Sequence, residues 1–115
     1  MLKLPSSVRV YVAVEPCDMR RQFDGLAALV RDGMGRDPKS GDLYLFRNRR
    51  GDILKAVFFD RQGYCLLAKR LCKGTFRVAF AAAELGHSHI EITPTELGQL
   101  MTELTLSRQE HADVA

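Results

Sequence analysis

Tryptophan is absent from these 115 residues, and cysteine, histidine and proline are scarce. Cys17, Cys65 and Cys72 form an odd set without a CxxC pair. No disulfide framework is expected, and a reduced intracellular compartment accounts for all of them as thiols with packing roles. Cys65 and Cys72 would face opposite sides of one uninterrupted strand, so a shared bond or metal requires a bend between them. Long apolar runs are missing too. Val10 to Val14 and Val78 to Ala83 are among the longest, far below the roughly 20 residues that span a bilayer as a helix. Met1 to Pro5 lead into no secretory-length apolar stretch before Arg9. The expectation is a cytoplasmic protein, nucleoid-associated if it meets DNA, with no membrane partner. No Walker-type or dinucleotide glycine pattern occurs, so no cofactor is expected.

What remains is ordinary for a folded domain, with 46% hydrophobic and 27% charged residues, which argues against disorder. The net charge of +3 is modest, but its distribution is not. Residues 1–46 carry +1, residues 47–77 carry +7, and residues 78–115 carry −5. A basic middle third of this kind focuses an attractive field on an anionic partner.

Hydrophobic periodicity predicts an α+β domain: a small antiparallel sheet with a central meander, packed with two principal helices. Val8 to Val14 reads as a strand with its valines on one face. Pro16 ends it, and Asp18 is placed to cap a helix from about Met19 to Asp32. Phe23, Leu26, Ala27 and Val30 form the apolar stripe of that helix. The glycines and proline of 33–41 mark a connection. Strands follow at Leu43 to Arg47, Leu54 to Asp60 and Tyr64 to Leu71, joined across Asn48 to Asp52 and across Arg61-Gln62-Gly63. The large apolar groups on both sides of Leu54 to Phe59 suggest that the central strand is covered on both faces. Phe76, Val78 and Phe80 suggest another extended segment, and His89 to Ile92 an edge strand. Thr93-Pro94-Thr95-Glu96 is a capping box, with Leu97, Leu100, Met101 and Leu104 as the stripe behind it. One domain over 1–106 is expected, followed by a flexible tail at 107–115.

On that meander the connection after its first strand and the end of its third strand lie at one end of the sheet. Arg47, Arg49, Arg50 and Lys55 should therefore approach Lys69, Arg70 and Lys73, with Arg77 just beyond. Arginine forks clustered in this way suit phosphate, positioning nucleic acid without reading its sequence. The competing reading is that charge merely protects a sheet edge. Tyr44, Phe46, Phe58, Phe59 and Tyr64 have the chemistry of stacking platforms, but their strand positions favour the core.

Catalysis is less well supported. Asp18, Asp24 and Asp60 are the candidate ligands for a metal-dependent nuclease, yet a cap, a helix surface and a turn explain each of them separately. His87 and His89 form an HxH pair that nothing at zinc spacing completes. No metal site and no catalytic residue is therefore expected.

The run Pro16-Cys17-Asp18-Met19-Arg20-Arg21-Gln22-Phe23-Asp24-Gly25-Leu26-Ala27-Ala28-Leu29-Val30, followed by Asp37-Pro38-Lys39-Ser40-Gly41, resembles the TnpB accessory proteins. These are the second reading frame of the insertion-sequence family numbered sixty-six. Phe46-Arg47-Asn48-Arg49-Arg50-Gly51-Asp52, then Lys55, Asp60, Gly63, Lys69-Arg70-Leu71, Gly74 and Phe76-Arg77 continue the likeness, and Thr93-Pro94, Leu97 and Leu100 extend it. Cys17 stands where a Thr or Val is usual, and Val78-Ala79 where a Trp-Pro pair is. The resemblance implies a non-catalytic role in transposition beside a separately encoded transposase that carries the catalytic carboxylates. It makes Asp18 and Arg20 candidates for a family-specific surface. Transposase and transposon DNA both stand as partners for the basic residues. Self-association stays open, with an apolar surface of the central sheet or first helix expected to contribute if it occurs.

Overall fold

The computed structural model describes residues 7–76 and 86–103. Its centre is a five-stranded sheet in the order β4-β3-β2-β1-β5. The strands are β1 (Val10–Ala13), β2 (Leu43–Arg47), β3 (Ile53–Asp60), β4 (Gly63–Arg70) and β5 (His89–Ile92). The expected α+β architecture with a meander is present, as β2, β3 and β4 pair in antiparallel succession. The sheet is mixed, however, because β1 runs parallel to β2. A parallel pair needs a crossover, and the first helix lies in that connection: α1 (Phe23–Ala28), continued by a wider π-helical turn over Leu29–Gly33. There the Met34 N–H bonds back to the Leu29 carbonyl at 3.2 Å.

The sheet is covered on both faces, and β1 and β2 show why their sequences are so apolar. Val10, Val12, Leu43 and Leu45 point to one side, where Leu54, Ala56, Phe76 and Leu100 join them. Tyr11, Ala13, Tyr44 and Phe46 point to the other, against Leu26, Val30 and Met34 of the α1 region. Leu100 lies in the turn that extends the second helix, α2 (Pro94–Gly98). The capping box at its start forms as expected. The Glu96 N–H donates to Thr93 Oγ1 at 3.0 Å, and the Thr93 N–H donates to Glu96 Oε1 at 2.9 Å.

The first helix starts later than the sequence suggests. Asp18 does not cap it: its carboxylate accepts the Arg20 backbone N–H at 2.9 Å, and its carbonyl accepts the Arg21 N–H at 3.1 Å. The chain is thereby closed into a turn before α1 begins at Phe23, behind a Gln22 that makes no side-chain cap. Phe23, expected in the buried stripe, stays 45% exposed, whereas Leu26, Ala27 and Val30 are buried. The first strand is also shorter than expected, and its pairing with β5 is antiparallel. The expected extension through Val78 and Phe80, Leu104 of the second stripe, the candidate Arg77 and the tail at 107–115 lie outside the described residues.

Candidate interaction surface

The β2–β3 connection is built around Asn48. Its side-chain oxygen accepts the Gly51 N–H at 2.9 Å and the Ile53 N–H at 3.1 Å, and its amide nitrogen donates to Asp52 at 2.6 Å. Gly51 has φ +79, a conformation open to glycine at low cost. Its carbonyl accepts the Phe76 N–H at 2.8 Å, and the Asp52 carbonyl accepts the Leu71 N–H at 2.8 Å. The tip is thus tied to β3 and to the segment that leaves β4. Arg49 and Arg50 stand exposed on it.

The strand register brings the end of β4 to this tip, with Ile53 opposite Arg70 and Leu54 opposite Lys69. The electrostatics agree. Asp52 is held below the usual carboxylate range, first by its Asn48 hydrogen bond and, more weakly, by Arg50 and Arg70. Arg49 is close enough to Arg47 to help lower its pKa. Arg49, Arg50 and Arg70 therefore share one end of the sheet, and Lys73 is exposed just past β4.

Three of the expected contact residues turn inward. Arg47 donates through Nη2 to the Val14 carbonyl at 2.9 Å, and its own carbonyl accepts the Cys17 N–H at 2.9 Å. Burial is the main cause of its lowered pKa, with Glu15 opposing, and a guanidinium keeps its charge regardless. Lys55 is only 8% exposed, and its ammonium donates to the carbonyls of Met19 at 2.7 Å and Arg21 at 3.0 Å. Lys69 reaches the Met101 carbonyl at 2.6 Å, in the helical turn that extends α2. A count of charges along the chain could not separate these anchors from the exposed arginines.

Asp18 and Arg20, singled out through the resemblance, form a forked ion pair. Arg20 Nε lies 2.9 Å and Nη2 2.6 Å from Asp18 Oδ2. The Arg20 side-chain bonds, followed by its backbone N–H, hold the Asp18 carboxyl down at about 2. The pair flanks an open groove of about 550 Å³, with Met19 beside it and Ile53, Lys55, Ala68 and Arg70 across from it. Lys55 explains this proximity, because its bonds to the 19–21 segment dock the turn on the sheet. The two candidate surfaces are consequently one continuous region. Met19, Ile53 and Ala68 were not anticipated there, since nothing in an apolar residue's type announces a groove wall.

The candidate metal carboxylates are not brought together. Asp18 lies at the groove, Asp24 on α1, and Asp60 at the far end of β3. Among the described residues no group of three or more His, Cys, Asp or Glu side chains is arranged to hold a metal ion. His89 already has partners on both ring nitrogens, Arg36 at 3.1 Å and Ser88 at 2.7 Å. No described helix is long and apolar enough to cross a membrane.

The described residues form a mixed-sheet α+β domain with a basic end and a forked ion pair beside it. Residues 8–111 match the model of the IS66 Orf2-like protein family, and the chain belongs to that family of non-catalytic accessory proteins. It is 39% identical over 102 residues to an uncharacterised protein designated y4hO of Sinorhizobium fredii (strain NBRC 101917 / NGR234), covering 89% of this chain and 85% of that one. A second protein of the same strain, y4jC, also uncharacterised, is 35% identical over 107 residues, covering 93% and 88%. No solved structure matches the chain.

Proposed function

We propose that this accessory protein assists transposition by holding transposon DNA, through phosphate contacts at the basic end of its sheet, beside a separately encoded transposase. The supporting observation is the convergence of Arg49, Arg50 and Arg70 on a loop end fixed by Asn48 and Gly51. Exposed guanidinium groups on a stiff support lose little freedom when they meet phosphate, and their planar forks match its oxygens. Such contacts position a duplex and carry no sequence information.

The Asp18–Arg20 pair supports a second contact. A carboxylate is the wrong sign for phosphate, so this mixed-charge border of the groove suits a protein surface, and the transposase is the partner that the family context favours.

The two contacts are separated by titrating the folded protein against duplex DNA and against purified transposase across a salt series. Log affinity for DNA should fall against log salt with a slope of about −0.9 per neutralised phosphate, and R49A/R50A should flatten it by up to about two units. Unchanged DNA and transposase affinities together with an unchanged transposition frequency would remove the arginine pair from the mechanism. Loss of transposase binding alone would assign the tip to a protein partner.

A further inference from the structure

β4 ends the sheet on one side: its only strand neighbour among the described residues is β3. Which of its backbone groups face outward follows from the ladder. The Asn48 N–H bonds to the Ile53 carbonyl, and the Leu71 N–H bonds to the Asp52 carbonyl. Along β3, the groups of Ile53, Lys55, Val57 and Phe59 are therefore directed at β2. Those of Leu54, Ala56, Phe58 and Asp60 are directed at β4, at Lys69, Leu67, Cys65 and Gly63. The N–H and C=O groups of Tyr64, Leu66, Ala68 and Arg70 are then left pointing away from the sheet.

Open edges of this kind are commonly blunted by proline, bulges or inward charges. β4 has none of these through Ala68. It pairs with β3 without a bulge over its whole length, and Gly63 to Ala68 contain no charge. Leu67, 47% exposed, is one of the large apolar side chains left open to solvent.

We infer that β4 is the dimer edge of this protein, pairing antiparallel with β4 of a second copy about a two-fold axis at Leu67. The occupant follows from the pattern of the strand. With Leu67 on the axis, Leu66 faces Ala68 of the other copy, Cys65 faces Lys69, and Tyr64 faces Arg70. Each outward N–H and C=O finds a partner, no cation opposes a cation, and the guanidinium meets an aromatic ring. Moving the axis to Ala68 sets Arg70 against Leu66 and Lys69 against Leu67. Moving it to Leu66 pushes Arg70 onto the Arg61-Gln62 loop. An acidic foreign strand would find cations only at the Lys69-Arg70 end of an otherwise uncharged edge. The dimer would carry both Arg70 residues on one face, separated along the strands by about 20 Å for six residues at about 3.4 Å each. Both basic ends could then engage one duplex, a consequence that rests on the DNA reading, whereas the pairing itself does not.

Sedimentation of the full chain across the micromolar range tests the pairing. The natural protein should be dimeric. A68P removes an outward N–H that the monomer does not use, and L67K places like charges on the axis. Each should yield a monomer with an unchanged circular dichroism spectrum, and L67K decides the matter if A68P does not fold. Across a non-hydrogen-bonded pair the Cα atoms lie about 4.5 Å apart, within the range of about 4.4–6.8 Å that a disulfide spans. On a C72S background, L67C should therefore cross-link under mild oxidation and L66C should not. A strictly monomeric natural chain overturns the inference, as does a dimer that survives L67K and gives no cross-link through L67C. A monomer that binds transposase in an L67K-sensitive way would reassign the edge to a foreign strand, since Leu67, unlike Ala68, does not line the groove.

Discussion

Replacing Lys55 by methionine tests whether this cation is a structural anchor or a contact for a partner. Its ammonium donates to the Met19 and Arg21 carbonyls from a residue that is 8% exposed. Hydrogen bonds to a charged group contribute about 1.5–3 kcal/mol each, so the pair sets a ceiling of about 6 kcal/mol. Two effects reduce it. Methionine fills a similar volume without the desolvation cost of an ammonium, which amounts to several kcal/mol. The released carbonyls also belong to a segment with exposed Arg20 and Arg21, where water can replace the lost donor. A net loss of about 1–3 kcal/mol is expected, read as a lower urea midpoint with unchanged m-value, or as a fall in Tm of roughly 5–15 °C. The 19–21 turn should loosen from the groove, while DNA affinity per folded molecule changes less than in R49A/R50A. K55M within about 0.5 kcal/mol of the natural protein, as for an ordinary surface change, would refute the anchor. Intact stability with weakened DNA binding would show that Lys55 is a contact instead.

Gly51→Ala should cost about 1–2 kcal/mol in chemical denaturation, because φ is +79 and the added methyl would lie 3.4 Å from Thr75 Cβ; it should also weaken whatever partner Arg49 and Arg50 hold. The pKa of His89 is lowered by burial, then by Arg36 and His87. The unfolded chain therefore takes up this proton first as pH falls through about 6.5, and stability should drop from there down to the folded pKa. H89Q should flatten that part of the stability-against-pH curve, as followed by thermal melts.

Much of the fold was legible because its strands and caps are written locally. The short apolar run of Leu43 to Arg47, the capping box at Thr93 and the glycine-bearing connections each declare themselves within a few residues. The parallel β1–β2 pair was not legible, since pairing direction depends on where α1 carries the chain and no short window contains that information. Asp18 misled for a related reason. An Asp before an apolar stripe is the signal of a cap, but a turn held by Asp18 and Arg20 uses the same carboxylate first.

The site was legible as a region and illegible as a set of roles. Apart from Arg61, in the turn between β3 and β4, the basic residues between 47 and 73 are brought toward one sheet end, because antiparallel pairing returns the chain to its starting side. Their division of labour depends on atoms brought from elsewhere: Val14 for Arg47, Met19 and Arg21 for Lys55, and Met101 for Lys69. These long-range carbonyls turn some cations into struts and leave Arg49, Arg50 and Arg70 to face solvent. The two sets are also connected. Lys55 docks the turn whose Asp18–Arg20 pair borders the same groove as Arg70, so an internal cation sets where the mixed-charge surface lies relative to the basic one. If DNA takes the arginines and the transposase takes the turn, Lys55 fixes the offset between those partners. Its loss should then impair transposition more than either binding affinity alone.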